Sequence, residues 1–129
     1  MKRVLIVDDE DDIRSVLETL FVTHGFEVDT LGDGIAATDL KTDYDAILLD
    51  LKMPIFDGEK LIDYWQMTAP ETLQRVIVMS GYSYYARQRA YPTFAVVLKP
   101  FDPFELLDVV TRCIESAPGR AEASAVSCI

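Results

Sequence analysis

Asp8-Asp9, Asp50, Ser80 and Lys99 each stand directly after a short apolar run. Val4-Leu5-Ile6-Val7 leads into Asp8-Asp9, and Ala46-Ile47-Leu48-Leu49 leads into Asp50. Val76-Ile77-Val78-Met79 leads into Ser80-Gly81, and Ala95-Val96-Val97-Leu98 into Lys99-Pro100. Short runs of this kind, rich in branched residues and closed by turn residues, read as buried strands. In a parallel sheet all strand C-termini lie at one edge, where open α/β sheets bind ligands. Three carboxylates, a hydroxyl and an ammonium then converge. Neighbouring carboxylates repel each other at low dielectric unless a cation compensates. Magnesium takes oxygen ligands and keeps several waters, so Asp8, Asp9 and Asp50 suit it. An aspartate can also attack phosphorus and form an acyl phosphate. A cation on one side and Lys99 on the other would neutralise the phosphoryl oxygens, and Ser80 can donate its hydroxyl to one of them.

Each residue has a plainer reading. Asp8 or Asp9 can cap the following helix, Ser80-Gly81 can be a simple turn, and Lys99 can be a solvated strand-end lysine. Capping needs only one aspartate, however, and leaves Asp50 and Lys99 unexplained. The succession of all these groups at strand ends favours the phosphoryl site.

Strands and helices alternate along the chain, as in a parallel sheet covered on both faces. The first helix is expected from about Asp11 to His24, with Ile13, Val16, Leu17, Leu20 and Phe21 as its stripe and Gly25 as its stop. Phe26 to Thr30 alternates and reads as a half-exposed edge strand. A short helix follows from about Gly34 to Leu40. Another begins after Asp57-Gly58, carries Leu61, Ile62 and Trp65, and ends before Pro70. Tyr82 to Thr93 has no clean apolar stripe and predicts a short or irregular helix. The last helix is signalled by Asp102 as cap, Pro103 in the first position and Glu105 placed for a capping box. Leu106, Leu107, Val110, Cys113 and Ile114 form its buried face. From Pro118 the composition turns to small and polar residues, which predicts a disordered tail. The expected organisation is one domain over residues 1–117 and a tail over residues 118–129.

A length of 129 residues fits one domain, and a hydrophobic half is enough for a packed core. The formal charge of −10 argues against direct contact with nucleic acid or anionic lipid. No stretch approaches the roughly 20 apolar residues that span a bilayer. Met1-Lys2-Arg3 precedes only a brief apolar run, too short for a signal peptide, so a cytoplasmic protein without membrane partners is expected. Cys113 and Cys128 lack a CxxC arrangement and read as a buried thiol and a tail thiol. His24, the one histidine, reads as a helix-end residue.

Val7-Asp8-Asp9-Glu10, Asp50-Leu51-Lys52-Met53-Pro54 with Asp57-Gly58, Ser80-Gly81 and Lys99-Pro100-Phe101 together resemble the receiver domain of two-component response regulators. The resemblance covers about residues 3 to 117. It implies a doubly wound, flavodoxin-like α/β fold, with a five-stranded parallel sheet in the order 2-1-3-4-5 and five helices on its two faces. It implies that Asp50 takes a phosphoryl group from a phosphohistidine of a sensor histidine kinase or histidine phosphotransfer protein. It implies that Asp8, Asp9 and Asp50, with the Lys52 backbone carbonyl, hold magnesium, and that Ser80 and Lys99 bind the phosphoryl group. It implies a phosphoacceptor that assists its own phosphorylation and dephosphorylation, and no turnover enzyme on a separate substrate is expected.

Two departures bear on output. Val96 stands where the family often has an aromatic residue, and Tyr91-Pro92-Thr93 replaces the usual Gly-Ala before the fifth strand. The module is expected to have no fused output domain and to act through residues 82–98 on a downstream protein or a second copy. That stretch carries Tyr82, Tyr84, Tyr85, Tyr91 and Phe94 around Arg87 and Arg89, residue types enriched at interface cores. Kinases are expected to dock on the first helix and the loop after the fifth strand, where Arg14, Ser15 and Glu18 should be exposed beside Phe101. A different class, the phosphatases resembling the haloacid dehalogenase group, also uses an aspartate nucleophile, but with a second aspartate two residues later; here that position is Lys52. A degenerate receiver serving as a scaffold would not need the complete acidic set with Ser80 and Lys99.

Overall fold

The computed structural model describes residues 1–39, 43–53, 56–81 and 91–116. Strands β1 (Arg3–Val7), β2 (Glu27–Leu31), β3 (Ala46–Asp50), β4 (Val76–Ser80) and β5 (Ala95–Leu98) form one parallel sheet in the order β2-β1-β3-β4-β5. Around it pack helices α1 (Asp11–Thr23), α2 (Gly34–Ala37), α3 (Gly58–Thr68) and α4 (Pro103–Glu115), with a 3₁₀ segment over Pro70–Arg75. The expected fold and strand order are those observed.

The three central strands are apolar at nearly every position because both sheet faces are covered. Successive strand residues point to opposite faces. Leu5, Val7, Ile47, Leu49, Val76 and Val78 pack against Leu61, Ile62 and Trp65 of α3. Val4, Ile6, Leu48, Ile77 and Met79 pack against Leu17 and Phe21 of α1 and Leu106, Val110 and Cys113 of α4. Each fully buried Leu, Ile or Phe stabilises the fold by roughly 1.5–3 kcal/mol before entropy is counted. β2 lies at an edge and is only partly covered, as its alternation foretold.

The helix boundaries follow their local signals. Gly25, at φ +90°, ends α1 in a conformation that side chains resist. Asp33 accepts from Ala36 N to cap α2, and Asp57 accepts from Lys60 N to cap α3. Asp102 caps α4, but its bond comes from Phe104 N, one residue earlier than the capping box expected with Glu105. Val16 does not join the buried stripe of α1. It is 59% exposed, because it sits on the flank of the face that Leu17 and Phe21 turn to the sheet. The 3₁₀ segment after Pro70, anchored by buried Leu73, was not anticipated. Leu40, the segment 82–90 and the tail from residue 117 on, with its Cys128, lie outside the described residues. No helix among the described residues is long and apolar enough to cross a membrane.

Candidate functional site

Strand register brings the chemistry to one level. Val7 pairs with Leu49, Asp50 with Met79, and Ser80 with Leu98. Asp8 and Lys99 are therefore the next residues out from β1 and β5 at the edge that also holds Asp50 and Ser80. Backbone bonds tie these ends together: Asp8 N donates to Leu31 O at 3.1 Å, and Lys99 N to Ser80 O at 2.7 Å.

Asp8, Asp50 and Ser80 are buried, whereas Asp9 and Lys52 are exposed. Carboxylate oxygens of Asp8, Asp9 and Asp50 all lie within 4.8 Å of one another. Lys99 Nζ stands 3.2 Å from Asp8 Oδ2 and 3.4 Å from Asp50 Oδ1. The other Asp8 oxygen accepts from Glu10 N at 2.9 Å. The capping position of α1 belongs to Glu10, which makes no side-chain cap bond. Neither aspartate is therefore the helix cap that the plainer reading offered, and Lys99 is not a solvated strand-end lysine.

The electrostatics follow from burial and crowding. Desolvation and then the Asp8 charge push the Asp50 carboxyl up to about 6, against the pull of Lys99 and the Lys52 N–H. Burial draws Lys99 down, but the Asp50 and Asp8 carboxylates outweigh it and hold its ammonium above the ordinary lysine value. One ammonium cannot neutralise three carboxylates. An all-oxygen donor set with surplus negative charge, partly buried and partly open, fits a hard divalent cation that keeps some of its waters. An open cleft of about 540 Å³ runs between Asp9, Asp50, Lys52, Gly81 and Lys99.

The Asp57-Gly58 pair positions this site from behind. A Cβ on Gly58 would lie 2.4 Å from the Asp50 carbonyl oxygen, so the start of α3 presses directly on the end of β3. Gly58 N donates to Leu51 O at 2.9 Å and closes the turn.

Two features were not foreseen. Arg14, expected to be exposed, folds back over the β1–α1 turn. Its Nη1 donates to the Asp8 carbonyl oxygen at 2.5 Å, its Nη2 pairs with Asp11, and the side chain is only 20% exposed. The three-residue spacing of Asp11 and Arg14 was the available sign of the pair. Ser15 and Glu18 are exposed as expected, while Phe101 is partly buried against the α1–α4 core. The second feature is Tyr91, whose hydroxyl donates to Glu59 Oε1 of α3 at 2.6 Å while its ring packs against the core on the α3 side of the sheet.

The family model for the response regulator receiver domain matches residues 4–111. Regulatory protein AtoC of Escherichia coli is 37% identical over 120 residues, which are 89% of this chain and 26% of AtoC. Sporulation initiation phosphotransferase F of Bacillus subtilis is 30% identical over 116 residues, 86% of this chain and 92% of that protein. The chain thus spans about a quarter of the length of AtoC and most of the phosphotransferase. Among solved structures, the response regulator TrrA from Thermotoga maritima, in complex with Mg²⁺-BeF, is 29% identical with a TM-score of 0.78, over 88% of this chain and 99% of that one. The receiver domain of the Francisella response regulator 1452 is 25% identical with a TM-score of 0.80, over 89% of this chain and 98% of that one. With the 2-1-3-4-5 parallel sheet and the carboxylates gathered at its C-terminal edge, these matches agree on one assignment: the chain belongs to the response regulator receiver domain family.

Proposed function

We propose that this receiver accepts a phosphoryl group on Asp50 from a phosphohistidine of a sensor histidine kinase or histidine phosphotransfer protein. Asp8, Asp9, Asp50 and the Lys52 backbone carbonyl hold magnesium, and Ser80 and Lys99 receive the phosphoryl oxygens. One observation carries this reading: Asp50 ends a buried strand with the Lys99 ammonium 3.4 Å away and the Asp8 and Asp9 oxygens within 4.8 Å. The magnesium–beryllofluoride complex of the Thermotoga relative supports the same pairing of cation and phosphoryl-like group.

A carboxylate oxygen of Asp50 forms the new bond to phosphorus as the donor's nitrogen–phosphorus bond breaks. The bonding pair returns to the imidazole nitrogen of the donor. A carboxyl at about 6 is ionised at pH 7, yet more basic than an ordinary aspartate. Lys99 then turns from Asp50 to the transferring oxygens, and Ser80 donates its hydroxyl from the neighbouring strand. Magnesium, when bound, supplies the positive charge that three carboxylates and a phosphoryl group require.

The phosphoacceptor unit spans residues 1–117, with 118–129 as a tail, and works in the cytoplasm as a signalling module without turnover of a separate substrate. Output passes through residues 82–98 to a downstream protein or a second copy, or by onward transfer of the phosphoryl group to another histidine protein; the Bacillus relative is itself called a phosphotransferase. Lys52, exposed and cationic, stands where a haloacid-dehalogenase phosphatase would need its acid, so that reading lacks its second catalytic group.

Intact-mass measurement after incubation with acetyl phosphate and magnesium tests the assignment. The native protein should gain one phosphoryl group, and Asp50→Asn should gain none. Ordinary labelling of Asp50→Asn would overturn it.

A further inference from the structure

We infer that Arg14 is a positioning residue of the metal site, built into the β1–α1 turn to fix the main chain that carries Asp8 and Asp9. The inference rests on the reading that these aspartates hold magnesium. Every polar group of Asp8 is engaged: its N–H by Leu31, its carboxylate by Glu10 N and Lys99, and its carbonyl by Arg14 Nη1. Arg14 is the one member of this set that reaches back from the second turn of the helix to the end of the strand. Its other nitrogen is held by Asp11, and it lies against Gly32, where an added Cβ would come within 3.0 Å of Nη1. The guanidinium is therefore seated between a carbonyl, a carboxylate and a bare glycine. Its planar fork makes both bonds at once, which a lysine ammonium reproduces poorly.

Charge and position predict opposite results when Arg14 is removed. Deleting a nearby cation strengthens the binding of a divalent cation, by Coulomb's law. Freeing the turn lets Asp8 and Asp9 drift from Asp50 and weakens it. Residues that orient metal ligands typically carry tenfold or larger effects on affinity.

The test is magnesium titration by calorimetry on the full chain, for the native protein, Arg14→Ala, Arg14→Lys and Gly32→Ala. The expected result is roughly tenfold weaker binding in Arg14→Ala, a smaller loss in Arg14→Lys, and a smaller loss again in Gly32→Ala, which only nudges the guanidinium. Labelling by acetyl phosphate should show a raised magnesium requirement with the same rate at saturation. Unchanged or tighter magnesium binding in Arg14→Ala would overturn the inference alone. Should Arg14→Ala fail to fold, unchanged binding in Arg14→Lys and Gly32→Ala together would overturn it equally. No magnesium binding by the native protein would overturn the proposed function, and this inference with it.

Discussion

The Lys99 ammonium reaches the buried Asp8 carboxylate at 3.2 Å, joining the end of β5 to the end of β1 across β3 and β4. Both side chains are largely shielded from water, with 17% and 0% of their surface exposed. Removing one member of a buried pair leaves the other uncompensated, at a cost of about 3 kcal/mol. Lys99→Ala should therefore lower the urea midpoint of the metal-free protein, and millimolar magnesium should recover part of the loss. Acetyl-phosphate labelling should fall as well. Equal destabilisation with and without magnesium would separate Lys99 from the cation site.

Burial and the neighbouring Asp8 disfavour the charge on Asp50, and its titration has a definite sign. Its carboxyl sits near 3.8 as an ordinary aspartate and at about 6 in the native protein. Between these values the native state holds a proton that the unfolded chain does not. The cost of the charged site is complete above pH 6 and fades as pH falls toward 4. Metal-free Asp50→Asn should thus be more stable than the native protein at pH 7.5, by an amount on the order of 3 kcal/mol at most. That difference should shrink steadily toward pH 4 in paired thermal melts. A gap that stays constant with pH would contradict the raised Asp50 value.

Asp9 is exposed, so its replacement should spare the fold. Magnesium at a hundred times its Kd should stabilise the native protein by about 2.7 kcal/mol. In Asp9→Ala that increment should nearly vanish, and labelling of Asp50 should drop with it. A melting shift of native size in Asp9→Ala would remove Asp9 from the ligand set.

Gly58 has no room for a side chain, since its Cβ would stand 2.4 Å from the Asp50 carbonyl oxygen. Neither α3 nor β3 can retreat without disturbing the core around Leu61 and Leu49. Gly58→Ala should cost about 1–3 kcal/mol and weaken magnesium binding, because the displaced backbone carries Asp50. Denaturant unfolding and calorimetry on the same variant would show whether both effects appear. Loss of stability with native magnesium affinity would confine Gly58 to packing.

Output is expected to run through β4 and β5. Lys99 N bonds to Ser80 O, Phe94 N to Val76 O, and Tyr91 to Glu59 near the start of α3. A phosphoryl group held by Ser80 and Lys99, as proposed, would pull on this set, and Val96 offers no aromatic ring to rotate. Amide exchange with beryllofluoride and magnesium should change protection at residues 91–98 as well as around Asp50. Changes confined to the metal site would exclude β5 as an output element.

Strands, helices and the chemistry of their ends were legible in the chain because each depends on neighbours a few residues away. Continuous apolar runs mark strands covered on both faces, and glycine, proline and aspartate mark where those runs and their helices stop. Parallel pairing then leaves only one edge for Asp8, Asp50, Ser80 and Lys99. Val16 shows the limit of the pattern, since helical spacing places a residue near a face but not inside its boundary. Arg14 shows it more sharply: an arginine on a polar helix face reads as a solvated charge. Only the path of the β1–α1 turn, with the carbonyl of Asp8 and the bare backbone of Gly32 within reach, draws it inward. Tyr91 is tied to Glu59 by a meeting of much longer range, 32 residues apart in the chain. Such contacts depend on how elements pack in three dimensions, and no local period encodes them.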